Sequence, residues 1–492
     1  MPGSVRVARA TAVLIVAAVL SGALGLWMLL DAVKPDVAGA AEGRSWAESF
    51  DAAARTQLTA VLISWPVAAA LLMAVLVRSR QAGNSLGQQR ILHFGTLGTA
   101  GVLLAPFVIT PVAIVTGHLA YWLACVPTTA FAVWSTYRLQ RHHRMPAWLV
   151  LLGFTWGAVF ATGMSGLMNA LFKDAAQAFV YDTKLAELTR HPGLGGDRSP
   201  LQQLQDAQQL TRTGLSVDAA LFEELAKGAG IVILVLLCRR RIDGLVSGLV
   251  LGAVVGLGFT MVETVEYMGQ GAPEFQFWTR QTVSLMTSHV AFSAILGATI
   301  GLTRQLADPR RRRRVVALGF LVAVAGHFLT DATLPYLTGL ETGWFAPSPQ
   351  LQSLVLQPAT LVLLQGPFVV IYVVLLRRGL RDQAAALTRE LEAEASRGTG
   401  AVGVGEVPIL MTPKRRFKVK VLVAARHGGL ASYRYLGRLH AAQLALGTQL
   451  WHRSRGEPEE DAPDETRLRS LVLDLKAHPP RALLETTGRT TA

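Results

Sequence analysis

Ser216–Cys238 reads SVDAALFEELAKGAGIVILVLLC, an apolar run long enough to cross a membrane, with Glu223, Glu224 and Lys227 set inside it. An ionised side chain near the centre of a bilayer costs at least ~2.5 kcal/mol on insertion scales. Three such groups so close together need partners, water or a task, and the rest of the chain shows which.

The 492 residues are 51% hydrophobic and only 16% charged, with a mean hydropathy of +0.37. Runs of ~20 apolar residues follow one another, each able to span ~30 Å of hydrocarbon. The expected fold is therefore all-α: a polytopic membrane helix bundle of about ten transmembrane helices with a cytoplasmic C-terminal tail. The net charge of +14 is no nucleic-acid signal, because the arginines sit just outside the apolar runs. Two isolated cysteines, Cys125 and Cys238, offer neither a disulfide framework nor a metal-ligand spacing.

The expected spans cover about residues 11–30, 58–77, 94–115, 118–137, 147–172, 216–238, 244–267, 283–302, 315–337 and 354–376. The first follows Arg6 and Arg9 and resembles a signal peptide. It exceeds the 7–15 residues of a usual signal core, however, and reads as a retained span. Assigning alternate loops to opposite sides sorts the charges. One set holds Arg6/Arg9, Arg78/Arg80/Arg90, Arg138/Arg141/Arg144, Arg239–Arg241, Arg304 with Arg310–Arg314, and Arg377/Arg378/Arg381. The other is mixed or acidic, with Asp36, Glu42, Glu48, Asp51, Glu274 and Glu341. The positive-inside rule then places both termini in the cytoplasm of a multi-pass cell-membrane protein.

This organisation divides the chain into N-terminal spans (1–173), an extracytoplasmic polar loop (174–215), a motif-bearing core of four spans (216–337), the last span with its flanks (338–381) and a basic cytoplasmic tail (382–492). Within the tail, 382–397 reads as a charged helix and 398–405 as a Gly-rich linker. Phe417–Val423, FKVKVLV, alternates like a short strand. A solvated tail partly resting on anionic lipid is the expectation for this region.

The informative residues are those that hydrocarbon should exclude. Counting ~1.5 Å per residue puts Glu223 and Glu224 ~10–12 Å below the outer edge, Glu263 ~6 Å, His289 and Asp331 ~9 Å, and His327 ~15 Å. Four helices of alternating direction thus carry polar groups at a similar depth. Glu223 and Lys227 are i,i+4, as are His327 and Asp331, so each pair shares a helix face. Asp331 can hold the His327 ring by its second nitrogen, as a metal-binding histidine requires, and Lys227 can neutralise and tune the glutamates. Gly244, Gly248, Gly252 and Gly256 form a small-xxx-small ridge that suits a helix at the bundle centre.

Other polar residues have simpler readings. Glu266 and Glu341 fall at or beyond the interface, and His93, His118, His142 and His143 fall at span ends or in loops, where solvation explains them. Gly163-Met164-Ser165-Gly166 has the G-x-S-G form used by rhomboid serine proteases, but small residues in membrane helices serve packing. No H-E-x-x-H is present.

Glu223-Glu224-x-x-Lys227, Phe259-x-x-x-Glu263, His289 and His327-x-x-x-Asp331, in this order on consecutive spans, resemble the PrsW family of intramembrane metalloproteases, distant relatives of the CAAX prenyl endopeptidases. The resemblance covers about residues 216–337, and the five preceding spans and the tail add nothing to it. One departure is Thr264, where the motif suggests asparagine. The resemblance implies hydrolysis of a peptide bond in a membrane-protein substrate, such as an anti-sigma factor or similar single-span regulator. Two imidazoles and one carboxylate make a catalytic Zn²⁺ site with an open position for water. On this reading Glu263, His289 and His327 are the metal ligands, Glu223 or Glu224 is the general base, and Lys227 tunes them. A metal-free variant lets a glutamate activate water directly, as proposed for the CAAX relatives. The residues alone also leave open an ion- or proton-coupled transporter, since ionisable groups in the membrane equally mark ion pathways. A scaffold acting through its tail is the non-catalytic alternative.

Overall fold

The structure is a computed structural model and describes residues 2–33, 52–82, 85–178, 200–345, 348–456 and 464–480. Among these residues all regular structure is helical, with no strand. The first helices are α1 (Pro2–Val33), α2 (Ala52–Gln81) and α3 (Ser85–Leu104), which passes through a 3-10 turn into α4 (Ile109–Gly117), followed by α5 (Leu119–Arg138). Then come α6 (Ala147–Thr155) and α7 (Thr162–Ala178), joined by the π-helical stretch Trp156–Ala161. The main bundle is completed by α8 (Pro200–Leu237), α9 (Leu245–Gln270), α10 (His289–Leu302), α11 (Pro309–Phe345) and α12 (Gln357–Ser396). Four further helices follow: α13 (Val407–Met411), α14 (Pro413–Arg426), α15 (Gly429–Ser454) and α16 (Glu465–Ala477).

Among the described residues, seven segments are long and apolar enough to cross a membrane: Ser4–Ala23, Thr59–Gln81, Ser85–Gly117, Ala147–Lys173, Leu245–Gln270, Pro309–Leu334 and Pro349–Ser396. Helices α5, α8 and α10 make up the difference from the expected ten. The charges of the opening motif dilute α8. Helix α10 has only 14 residues, ~21 Å of helix, too short to cross ~30 Å unaided. Where the eighth span was expected to begin, the backbone instead forms a π-helical turn, Trp278–Val283, and an irregular stretch over 284–288. Such backbone is tolerated at membrane depth only when protein or water surrounds it. The expected polar loop is also largely helical where described, because α7 runs to Ala178 and α8 already begins at Pro200. The acidic loop residues Asp36, Glu42, Glu48 and Asp51 lie outside the described residues.

Helix α9 is the axis of the bundle, enclosed by protein along its whole apolar length. Its glycine ridge explains how. A Cβ at Gly248 would collide with the Gly297 carbonyl oxygen, one at Gly252 with that of Ser293, and one at Gly256 with that of His289. Gly297 and Gly301 of α10 return the approach against Gly248 and Gly252. On the opposite side, Gly258 meets the Phe154 carbonyl where the π-helical stretch begins. Backbones packed this closely gain dispersion energy that lipid tails cannot match, the main source of helix association in a bilayer. The same contact fixes His289, whose carbonyl rests on Gly256.

The C-terminal region departs from the expected solvated tail. Helix α12 continues unbroken from the membrane segment to Ser396. Ala401 and Val402 of the expected linker are buried in apolar cores with Leu439, Leu446 and Leu444, Leu410 respectively. Glu394 is buried beneath the Arg469 guanidinium, with N–O distances of 2.7 and 3.0 Å. These guanidinium bonds hold the Glu394 carboxyl down at about 2 against the pull of its burial. FKVKVLV is helical, within α14. Pro413 opens that helix with its φ already set, and a lone strand here would have left its N–H and C=O groups without a ladder.

Candidate metal centre

Helix α8 brings the opening motif into the bundle with Lys227 at its centre. The Lys227 ammonium is wholly buried, 2.8 Å from Glu224 Oε1 and 3.3 Å from Glu223 Oε2. It also lies 2.9 Å from His289 Nδ1 and 3.9 Å above the centre of the Phe259 ring. Phe259 thereby provides the aromatic face under the cation, a cation–π contact that gains strength away from water, and meets His289 edge-on at 5.1 Å.

The histidines arrive from two other elements. His289 is the first residue of α10, and its Nε2 stands 2.9 Å from a Glu263 oxygen. His327 of α11 has Nδ1 3.2 Å from Glu224 Oε1, while Nε2 faces Asp331 at 3.2 Å and Glu223 Oε2 at 3.7 Å. The i,i+4 pairing of His327 with Asp331 is thus present. The two imidazoles lie 4.8 Å apart, and Phe292 stacks on His327 while meeting Phe368 of α12. All seven residues singled out in the sequence converge in one cluster.

The charges in this cluster do not cancel with neutral histidines. Glu223, Glu224, Glu263 and Asp331 face one ammonium, Lys227, and one guanidinium, that of Arg280, 3.0 Å from Glu263. Two negative charges remain among the described residues. Two imidazolium protons or one divalent cation would balance them, and metal binding ordinarily displaces such protons.

The residues present fit a metal, with Glu223 offering a carboxylate to the two histidines. Glu223, His289 and His327, all buried, offer ligand atoms within 4.8 Å of one another. Glu223 Oε2 is 3.7 Å from His327 Nε2 and 4.0 Å from His289 Nδ1. Bonds of 2.0–2.2 Å in a tetrahedron separate ligands by roughly 3.4 Å, so each of the two Glu223–histidine separations needs to close by roughly half an ångström. His289 Nδ1 faces Lys227, and for it to bind metal the ammonium must release it. Glu263, expected as a ligand, is instead held between Arg280 and His289.

Beside the histidines lies a cavity of about 230 Å³. Arg280, Ser288, Asp331 and Gln365 give it a polar lining, and Phe292 and Leu361 an apolar one. The Asp331 side chain is 40% exposed, in contrast to its buried partner His327.

Comparison with known proteins bears on the same helices. Residues 145–372 match the family model of the PrsW family intramembrane metalloproteases. No curated protein and no solved structure matches the chain. The PrsW match supports a membrane-protease function. It also runs beyond residues 216–337 at both ends, so the fifth span and the start of α12 do add to the resemblance.

The structure shows what those flanks contribute to the matched segment. Asn169 of α7 donates to Glu223 Oε1 at 3.2 Å, and Trp156 Nε1 donates to the Ala226 carbonyl at 3.0 Å, bracing α8 on either side of the motif. Gln365 and Phe368 of α12 reach Thr287 and Phe292. Arg280, with its guanidinium 3.7 Å from the Tyr267 ring centre, is the charged partner that sequence reasoning missed. It lies in a stretch that reads as interfacial loop, and only its charge near an apolar run signals it.

Thr264, at the departure from the family pattern, has another task. Its hydroxyl donates to the Thr260 carbonyl at 2.6 Å and accepts from Gln281 at 3.1 Å. Gln281 in turn accepts from Thr128 and Thr129 of α5. Ser165 is buried with its hydroxyl donating 2.8 Å to the Ala161 carbonyl of its own helix, the packing role expected of it.

Two of the histidines assigned to solvent are held by the protein instead. His142 is buried and pushed down to about 4 by that burial and by Arg416 and Arg141. His143 Nδ1 lies 2.7 Å from Asp243, whose other oxygen is 3.0 Å from His452 Nε2 of α15. Asp243 is therefore one point where the C-terminal helices join the main bundle.

Proposed function

We propose that this protein is an intramembrane metalloendopeptidase that hydrolyses a peptide bond of a membrane-associated protein. The observation that carries the reading is the convergence of Glu223, His289 and His327 from three elements into one buried group of ligand atoms. Two imidazoles and a carboxylate match the donor set of catalytic zinc, and those three residues would hold the ion. Bound there, zinc would polarise the scissile carbonyl and make water a nucleophile at neutral pH.

The chain's own residues divide the remaining work. Glu224 is the proposed general base. Lys227 and His327 hold its Oε1, while the buried Oε2 has no hydrogen-bond partner among the described residues and is left to accept a proton from water. Glu224 orients the His327 ring through Nδ1, with Asp331 beside the metal-facing Nε2, and Glu263, anchored by Arg280, orients His289 through its Nε2. The cavity beside the histidines is the proposed seat of the substrate backbone. Arginine clusters at alternate loops support cytoplasmic termini, which puts the site toward the outer half of the bilayer. Single-span regulators of the anti-sigma type suit that geometry as substrates.

A second reading has its own observation. Lys227 already sits as a cation among Glu223, Glu224 and His289, which suits a metal-free mechanism in which a glutamate activates water. One experiment separates the two. The full chain in nanodiscs, given a single-span substrate, is expected to carry one zinc per chain and to lose cleavage on chelation and in Glu224→Gln. Cleavage that survives complete metal removal selects the metal-free mechanism, and no cleavage by the zinc-loaded chain overturns the protease reading.

A further inference from the structure

The arginine-rich end of the bundle holds a cavity of about 330 Å³ that the proposed chemistry does not use. It lies where the start of α1 meets the end of α8. Arg6 and Arg9 come from α1, and Arg240 and Arg241 from the 3-10 turn Arg239–Arg241 that follows α8. His93 of α3 joins them, its Nδ1 3.2 Å from the Arg6 carbonyl oxygen. Three segments distant in sequence thus direct basic groups to one space, and no carboxylate is among the described residues lining it.

A phosphate seated among these basic groups is attracted by each of them. Guanidinium groups match phosphate oxygens in a two-pronged geometry that an ammonium cannot reproduce. The other wall is apolar, formed by Leu236 and Leu237 on the last turn of α8 and by Trp148 at the start of α6. Trp148 is 49% exposed, and a tryptophan with one face open is typical of the membrane–water boundary. A soluble phosphate would use only the basic wall. A phospholipid uses both, with its headgroup phosphate among the arginines and its glycerol and first methylenes along the leucines.

We propose that this cavity binds the phosphate of an anionic phospholipid and pins the start of α1 to the end of α8. The pinned helix is the one that carries Glu223, Glu224 and Lys227, so the lipid anchors the far end of the candidate metal centre's own support.

Native mass spectrometry of the full chain, purified with equal amounts of phosphatidylglycerol and phosphatidylcholine, tests this. The wild type is expected to retain one phosphatidylglycerol in preference to phosphatidylcholine. The variant Arg6→Gln/Arg9→Gln/Arg240→Gln/Arg241→Gln is expected to bind it at least about tenfold more weakly, since each basic group near the surface contributes appreciably. Removing the same charge elsewhere, in Arg310→Gln/Arg311→Gln/Arg313→Gln/Arg314→Gln, should leave retention unchanged. Arg6→Gln/Arg9→Gln alone, at the exposed start of α1, should show a partial loss and guards against misfolding of the larger variant. Equal retention of both lipids, or equal loss in both four-residue variants, overturns the proposal. Displacement of the lipid by millimolar inorganic phosphate also overturns it and assigns the cavity to a soluble anion.

Discussion

Replacing Glu223 and Glu263 separately by glutamine distinguishes the two carboxylates that compete for the role of metal ligand. Glu223 Oε2 stands 3.7 Å from His327 Nε2 and 4.0 Å from His289 Nδ1, roughly half an ångström beyond a closed tetrahedron. Glu263 meets His289 at 2.9 Å and is already paired with Arg280 at 3.0 Å. Losing a partner that only orients a ligand costs about 10–100-fold in metal affinity, so Glu263→Gln should fall in that range. Glu223→Gln removes a ligand and one of the two uncompensated negative charges, and its loss should exceed about 100-fold, or ~2.7 kcal/mol. Titration of the metal-stripped chain in nanodiscs with zinc against a competing chelator reads both losses without relying on activity. If Glu263→Gln weakens binding more than Glu223→Gln, Glu263 is the ligand and the present assignment is wrong. If neither changes the affinity, zinc binds elsewhere.

Other perturbations probe the surroundings. Lys227→Met leaves Glu223 and Glu224 buried without their shared cation, and the metal-free protein should lose about 3–5 kcal/mol of stability; excess zinc should restore most of the lost melting temperature, and a melt indifferent to zinc would count against a metal at this place. Gly252→Leu drives a side chain into the Ser293 carbonyl and should abolish folded yield, whereas Gly98→Ala, whose Cβ meets nothing within 4 Å, should be silent in the same expression assay. Ser165→Ala should keep cleavage within about twofold, because its hydroxyl bonds only to carbonyls of its own helix. Docking of α15 should depend on pH. Burial alone would lower the His143 pKa, but Asp243 raises it above its ordinary value, while Asp243 itself, despite burial, is held down by His143 and His452. The ion pair therefore contributes fully between ~4 and ~6.5. It is lost as pH rises through the raised His143 value, and Asp243→Asn should remove that dependence in hydrogen exchange of α15.

The polar cluster was legible because hydrocarbon makes every charge conspicuous. Glu223, Glu224, Lys227, Glu263, His289, His327 and Asp331 all lay in apolar runs, and helical spacing alone paired His327 with Asp331. The choice between Glu223 and Glu263 was not legible, since it depends on how α8 turns against α11 and on Arg280, which occupies Glu263. Arg280 itself gave no periodic signal, because π-helical and irregular backbone has no periodicity to read, and its charge beside an apolar run was the one clue. The glycine ridge announced a central helix, yet the sequence could not say that its partner would be the 14-residue α10. The histidines misread as solvated are instructive. His143 and His452 are far apart in the chain, and only the fold of the C-terminal helices, hidden behind a strand-like alternation in FKVKVLV, brings both to Asp243.

The shortness of α10 follows from the chemistry proposed. Hydrolysis needs water, the one reagent that hydrocarbon excludes, and a full-length apolar span in this position would seal the histidines from it. Ending the helix at His289 places an imidazole at a helix start, where irregular backbone and hydroxyl groups take over. Ser284 and Ser288 stand in that stretch, with the Ser284 hydroxyl donating to the Thr279 carbonyl and that of Ser288 to the Ser284 carbonyl. Their hydroxyls, with Gln365 and the part-exposed Asp331, make the cavity wall polar. Irregular backbone at this depth is affordable only because α9, α11 and α12 surround it, and the glycine ridge is what allows α9 close enough to do so. The same Gly256 contact that packs α9 on α10 supports the His289 backbone. A larger residue at Gly256 should thus displace His289 from Glu223 before it unfolds the bundle, and weaken zinc binding at a protein concentration and temperature where the melt is still cooperative.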